Sequence, residues 1–250
     1  MSIKLLKLED QVKGAFDGMK ILENKPIGFP QDGGTQQSYS NLFYWANAWS
    51  DNGGLIGEHP HQLFEIMSFV MEGEIQHYDS KFNRWISLKK GDAQIIRSGN
   101  GITHAEKIMG WGRMFQIWFD PNIQKSITKE ATYNDYSSAE MKYFKEDGIN
   151  IKNYIGNGGP VIMDAEGVEI NEYLIPQGNH QLKLNANKIH SFYLLKGTLE
   201  IGGKNVKEND FFIIENEKEI SFEVVENAVL FTVAVPQQLS YKTYLEIANN

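Results

Sequence analysis

The chain has 250 residues, of which 41% are hydrophobic and 22% charged, with a formal net charge of −8 and no cysteine. That length can bury a sizeable core, as one large domain or as two smaller ones. Net negative charge without a dense basic run argues against direct electrostatic binding to nucleic acid or anionic lipid, and the lack of thiols leaves only nitrogen and oxygen to hold any metal. The first ten residues lack the apolar run of a signal peptide, and no segment approaches the ~18–20 apolar residues of a membrane span. A cytoplasmic enzyme or binding protein is the resulting expectation.

In chain order, residues 1–40 read as short strands and turns, broken by Gly28, Pro30, Gly33 and Gly34. Residues 43–49 (FYWANAW) alternate as a strand does, and Asn52-Gly53-Gly54 follows as a turn. A strongly apolar strand is predicted over 64–71, continuing over 74–78 after a bend at Gly73. Further strands are predicted over 84–88, 93–96, 102–104 and 114–119. Short strands with turns every 8–12 residues point to a sandwich or barrel. Residues 121–138 are more polar and read as an inter-domain connection, with a short helix near 137–141. Strands resume from Ile149 to about Val235, and residues 239–248 read as a short helix.

The second half repeats the first. Residues 68–73 (SFVMEG) resemble 192–197 (FYLLKG), and residues 88–96 (LKKGDAQII) resemble 206–214 (VKENDFFII). Internal duplication accounts for both matches, giving two similar β-domains, placed at 1–130 and 131–250.

Candidate ligands come in two pairs, His59 with His61 and His104 with Glu106. On a strand, residues i and i+2 share a face about 6.6–6.8 Å apart, so each pair can converge on one ion. If the two strands are neighbours, three imidazoles and a carboxylate meet, a mixed set suited to a first-row transition metal. They would leave two octahedral positions open, one for a substrate oxygen and one for dioxygen, with Glu106 as proton acceptor. Glu65 shares the face of His59 and His61 by parity, and His77 reads as a structural histidine of the barrel wall. Gln116 and Trp118 read as pocket lining or core. Offsets from the repeat put Lys183, Asn185, Phe222 and Val224 at the equivalent places of the second copy, so that copy is expected to hold no metal.

These motifs resemble the cupin superfamily and, within it, the pirin family. The resemblance is carried by residues 59–65 (HPHQLFE), 72–74 (EGE), 91–94 (GDAQ), 98–106 (SGNGITHAE) and 115–118 (FQIW). It departs from the pattern at Gln62-Leu63, where the family has Arg-Gly, and in lacking a recognisable Gly/Pro-rich segment after Pro236. The resemblance implies an all-β bicupin of two tandem jelly-roll barrels, with one site in the first barrel formed by His59, His61, His104 and Glu106. It implies iron there; manganese, nickel, copper and zinc also suit the donors. It implies that Glu65 is not a ligand. Quercetinase-like dioxygenase activity is the activity implied, on a flavonol or another small enolisable substrate. The alternative is a metal-binding regulatory protein that modulates a partner protein.

Overall fold

The structure is a computed structural model that describes residues 2–249. The strands in chain order are β1 (Ile3–Leu6), β2 (Val12–Phe16), β3 (Ile21–Ile27), β4 (Leu42–Ser50), β5 (Gly54–His61), β6 (Glu65–Glu72), β7 (Glu74–Asp79), β8 (Trp85–Lys89), β9 (Ala93–Arg97) and β10 (Ile102–Ile108). They continue with β11 (Gly112–Phe119), β12 (Thr132–Tyr136), β13 (Lys142–Glu146), β14 (Ile149–Ile155), β15 (Glu169–Ile175), β16 (Gly178–Lys183), β17 (Lys188–Ile201), β18 (Lys204–Lys207), β19 (Phe211–Glu215) and β20 (Glu219–Pro236). Two short helices, α1 (Ile123–Ser126) and α2 (Tyr244–Ala248), complete the order. No helix among the described residues is long and apolar enough to cross a membrane.

The chain divides into two compact units. The first comprises Gln11–Glu140, Met163–Ala165 and Leu239–Asn250; the second comprises Met1–Asp10, Met141–Ile162 and Glu166–Gln238. The sequence reading set the division at 130/131. In the structure the first unit runs on to Glu140 because residues 132–136, read as connection, form β12 and pair antiparallel with β9. The helix expected near 137–141 is a single 3-10 turn, Ser138–Glu140. The expected tail helix is present as α2, capped by Thr243, whose side chain accepts from the Glu246 N–H.

The first unit consists of a seven-stranded sheet, β12-β9-β6-β11-β4-β3-β2, and a four-stranded sheet, β5-β10-β7-β8. Strand β6 is central in the larger sheet, and all of its residues but the last are buried, which explains its continuous apolar run. Strand β7 alternates instead, burying Ile75, His77 and Asp79. Two buried polar residues on an inward face need partners, and that face belongs to the candidate site.

The second unit is one nine-stranded sheet built around the long strands β17 and β20, with a core that includes Phe192, Phe212, Leu194 and Leu230. The repeat seen in the sequence is repeated in hydrogen bonds. In the first unit Val70 N donates to Asp92 O at 3.1 Å and Lys89 N to Asp92 Oδ2 at 2.8 Å. In the second, Leu194 N donates to Asp210 O at 3.0 Å and Lys207 N to Asp210 Oδ2 at 2.9 Å. Gly73 and Gly197, which end the matching blocks, both take positive φ (65° and 93°). At each, an added Cβ would lie within 3.0 Å of the backbone of the following strand region.

Candidate metal centre

Strands β5 and β10 pair antiparallel with His59 directly opposite His104 and His61 opposite Ile102. The register slips by one residue between His104 and Glu106, a β-bulge that re-aims the end of the pair. On its other edge β10 pairs with β7, which sets Glu106 opposite His77 and His104 opposite Asp79. The two predicted ligand pairs therefore lie on neighbouring strands with side chains on one face.

His59, His61 and His104 each bring a nitrogen within 4.8 Å of the other two. The His59 and His104 Nε2 atoms are 3.1 Å apart. Metal–imidazole bonds of about 2.0–2.1 Å place neighbouring octahedral donors roughly 3 Å apart, so this spacing suits one shared ion. His59 Nδ1 lies 2.7 Å from the Gly57 carbonyl oxygen. A carbonyl only accepts, so Nδ1 carries the proton and Nε2 keeps a bare lone pair, as a ligating histidine requires. His61 Nε2 and His104 Nδ1 are buried without a hydrogen-bond partner among the described residues. Burial, followed by repulsion from His104 and His59, pulls the His61 pKa down to about 3. Burial also holds His104 well below the usual histidine range. Both rings are neutral at pH 7 and free to donate to a cation.

Glu106 sits beside this trio. Its Oε2 is 4.0 Å from His104 Nε2 and accepts from Gln116 Nε2 at 2.7 Å; its Oε1 accepts from Ser68 Oγ at 3.4 Å. Gln116 and Ser68 face each other on β11 and β6, so the seven-stranded sheet reaches across to the carboxylate of the four-stranded one. His77, His104 and Glu106 form a second trio of donors within 4.8 Å, all buried. His77 Nε2 also lies 3.4 Å from Asp79 Oδ2. His77, expected chiefly as a structural histidine with a ligand role as the lesser alternative, faces inward with Ile75 and Asp79 on β7. This all-nitrogen-and-oxygen set, with buried lone pairs and no competing thiol, can hold one transition-metal ion.

Glu65, expected by parity to share the face of His59 and His61, lies instead on β6 in the other sheet. It accepts from the backbone N–H of Asp164 and of Ala165, each at 2.7 Å, with Arg97 Nε 3.7 Å away. Trp118 sets its ring edge-on to His61, centroids 4.8 Å apart, and donates from Nε1 to Gln116 Oε1 at 3.2 Å. A pocket of about 540 Å³ opens at His61, walled by Pro60, Gln62, Ser80, Ile102 and Thr103.

The pirin family matches residues 36–119. A quercetin 2,3-dioxygenase of Escherichia coli is 32% identical over 89 residues, covering 34% of this chain and 38% of its own. Matched segments span only 28–38% of the curated relatives' length. The crystal structure of the bacterial pirin YhhW of Escherichia coli in complex with nickel(II) superposes with a TM-score of 0.76 at 19% identity, over 95% of this chain and all of that one. A quercetin 2,3-dioxygenase structure from Acinetobacter baumannii gives 0.80 at 15% identity, over 99% of this chain and 86% of that one. These likenesses fix the fold as two cupin β-barrel domains. The likeness to the pirin family is thus carried by residues 36–119, the segment that holds all four candidate ligands.

Proposed function

We propose that the first barrel is a metal-dependent dioxygenase site acting on a flavonol or another small enolisable substrate in the cytoplasm. The observation that carries this reading is the convergence of three imidazoles, with Glu106 beside them, at the edge of a pocket large enough for such a molecule. His59, His61, His104 and Glu106 would hold the ion, iron by preference. When bound, it would supply Lewis acidity toward the substrate's oxygens and a redox centre for dioxygen.

The chain's own residues do the rest. Gly57 O fixes the tautomer of His59. Trp118 backs the ring of His61 and limits its rotation. Pro60, Ile102 and Gly101 offer an apolar wall for a flat ring system, while Ser80 and Thr103 offer hydroxyls to its substituents. Glu106 Oε1, which has only the long contact from Ser68, is the atom left to accept the substrate's hydroxyl proton. The nickel in the YhhW complex and the names of the dioxygenase relatives support the reading.

The test is oxygen uptake with quercetin, using protein loaded anaerobically with iron(II), manganese(II) or nickel(II). Uptake that requires metal and is lost in His61→Ala supports the enzyme. Stoichiometric metal binding with no uptake from any of the three would replace it with the regulatory alternative.

A further inference from the structure

We propose that Trp118 and Gln116 form a positioning pair that sets how Glu106 presents its carboxylate to the ion held by His59, His61 and His104; the proposal rests on the metal reading above. An indole N–H can only donate. Trp118 Nε1 faces Gln116 at 3.2 Å, so the amide oxygen must be the atom that meets it. The amide NH₂ is thereby turned to the other side, where it donates to Glu106 Oε2 at 2.7 Å. The chain of donors runs one way, from Trp118 through Gln116 to Glu106.

The indole is itself fixed. Its ring packs edge-on to Phe29 at 5.2 Å and to His61 at 4.8 Å, with Tyr44 at 5.6 Å and Phe64 at 5.9 Å. Gln116 stands directly opposite Ser68 in the seven-stranded sheet, so both groups that hold Glu106 come from the sheet facing it. The charge-assisted hydrogen bond from Gln116 holds Oε2, the oxygen 4.0 Å from His104 Nε2, while Oε1 has only the longer contact from Ser68. Without the indole N–H, the amide loses the contact that fixes its plane and rotamer, and its N–H no longer holds Oε2 in one place. Glu106 is then released to turn both oxygens to the ion. Trp118 thus acts on the centre twice, by contact with His61 and through Gln116 on Glu106, and the second path is separable by chemistry.

Cobalt(II) is the probe, because its visible absorption reports ligand number. Trp118→Phe keeps an aromatic ring and removes only the donor; Gln116→Leu removes the relay. Each is expected to keep stoichiometric cobalt, to change the visible spectrum, and to speed release to EDTA by about 10–100-fold. The double variant is expected to match Gln116→Leu alone, because Trp118 works through Gln116. Additive effects, or a Trp118→Phe protein with the wild-type spectrum and release rate, overturn the pair while leaving the metal site standing. Failure of the wild-type chain to bind cobalt, nickel or iron overturns the metal reading and the pair with it. Melting temperatures of the metal-free variants serve as the folding control, since a packing role alone would lower them without altering the cobalt spectrum.

Discussion

His104 faces His59 across the antiparallel pair of β10 and β5, with Nε2 atoms 3.1 Å apart. The Gly57 carbonyl fixes the His59 proton on Nδ1, so the lone pair of His59 is aimed at its neighbour. A cation between the rings gains both lone pairs and relieves a buried polar mismatch. Binding only the folded state should stabilise the protein by about 2.7 kcal/mol at an ion concentration 100 times Kd. We expect nickel(II) to raise the melting temperature of the wild-type chain and to leave that of His59→Ala unmoved. Equal shifts in the two proteins would show that the ion binds elsewhere.

The trio also makes the metal-free protein sensitive to acid. His61 is pulled from 6.5 to about 3, chiefly by burial. The unfolded chain then binds more protons than the folded one between those values, so His61's contribution is fully present above pH 6.5 and lost as pH falls toward 3. Glu65 acts with the opposite sign: burial pushes it up to about 7, so its contribution is present below pH 4.5 and lost as pH rises through 7. Comparison with His61→Gln separates the two. Urea midpoints measured from pH 7 to pH 4 should fall less steeply in the variant; parallel slopes would mean that His61 is not held neutral.

Glu65 occupies the sequence position at which a cupin glutamate is expected, yet it serves the backbone of residues 164 and 165. Glu65→Gln keeps the shape but puts an amide NH₂, which cannot accept, where one carboxyl oxygen meets a backbone N–H. A loss of roughly 1–3 kcal/mol in urea unfolding is expected, with metal content equal to wild type. Metal loss comparable to that of a histidine variant would place Glu65 among the ligands after all.

Gly73 combines a positive φ of 65° with a Cβ position 2.9 Å from Trp111 O. Gly73→Ala should therefore destabilise by about 1–3 kcal/mol. Gly197, at the matching place of the second unit with Asn227 O at 2.8 Å, should respond alike. Chemical denaturation of both variants checks this; a neutral Gly73→Ala would mean that the turn relaxes without cost.

The strand pattern and the ligand pairs were legible because a period of two survives wherever one face is buried and the other is not. Residues 102–108 show this, with 102, 104, 106 and 108 buried and 103 and 107 only partly so. Strand β12 was not legible: Thr132, Tyr133, Asn134, Asp135 and Tyr136 carry no apolar alternation, because β12 is an edge strand held by its ladder to β9. The division into units was hidden for a related reason. Residues 3–6 pair with β19, far along the chain, and nothing local in four residues announces a distant partner. The fate of Glu65 was equally non-local, since its partners lie about 100 residues away. Gln116 and Trp118 could be named as pocket candidates, but the direction of their hydrogen bonds depends on which donor meets which acceptor, and only the fold supplies that.

The measurement closest to the central claim is metal content by mass spectrometry on protein purified without chelators, for the wild-type chain beside His104→Ala. His104 is fully buried and belongs to both donor trios, so its imidazole is the shared element of the centre. One equivalent of a first-row transition metal in the wild type, falling to background in a folded His104→Ala protein, is the predicted result. Metal retained in full by His104→Ala, or a wild-type chain that takes up none even when offered iron, nickel, manganese, copper and zinc, would contradict it.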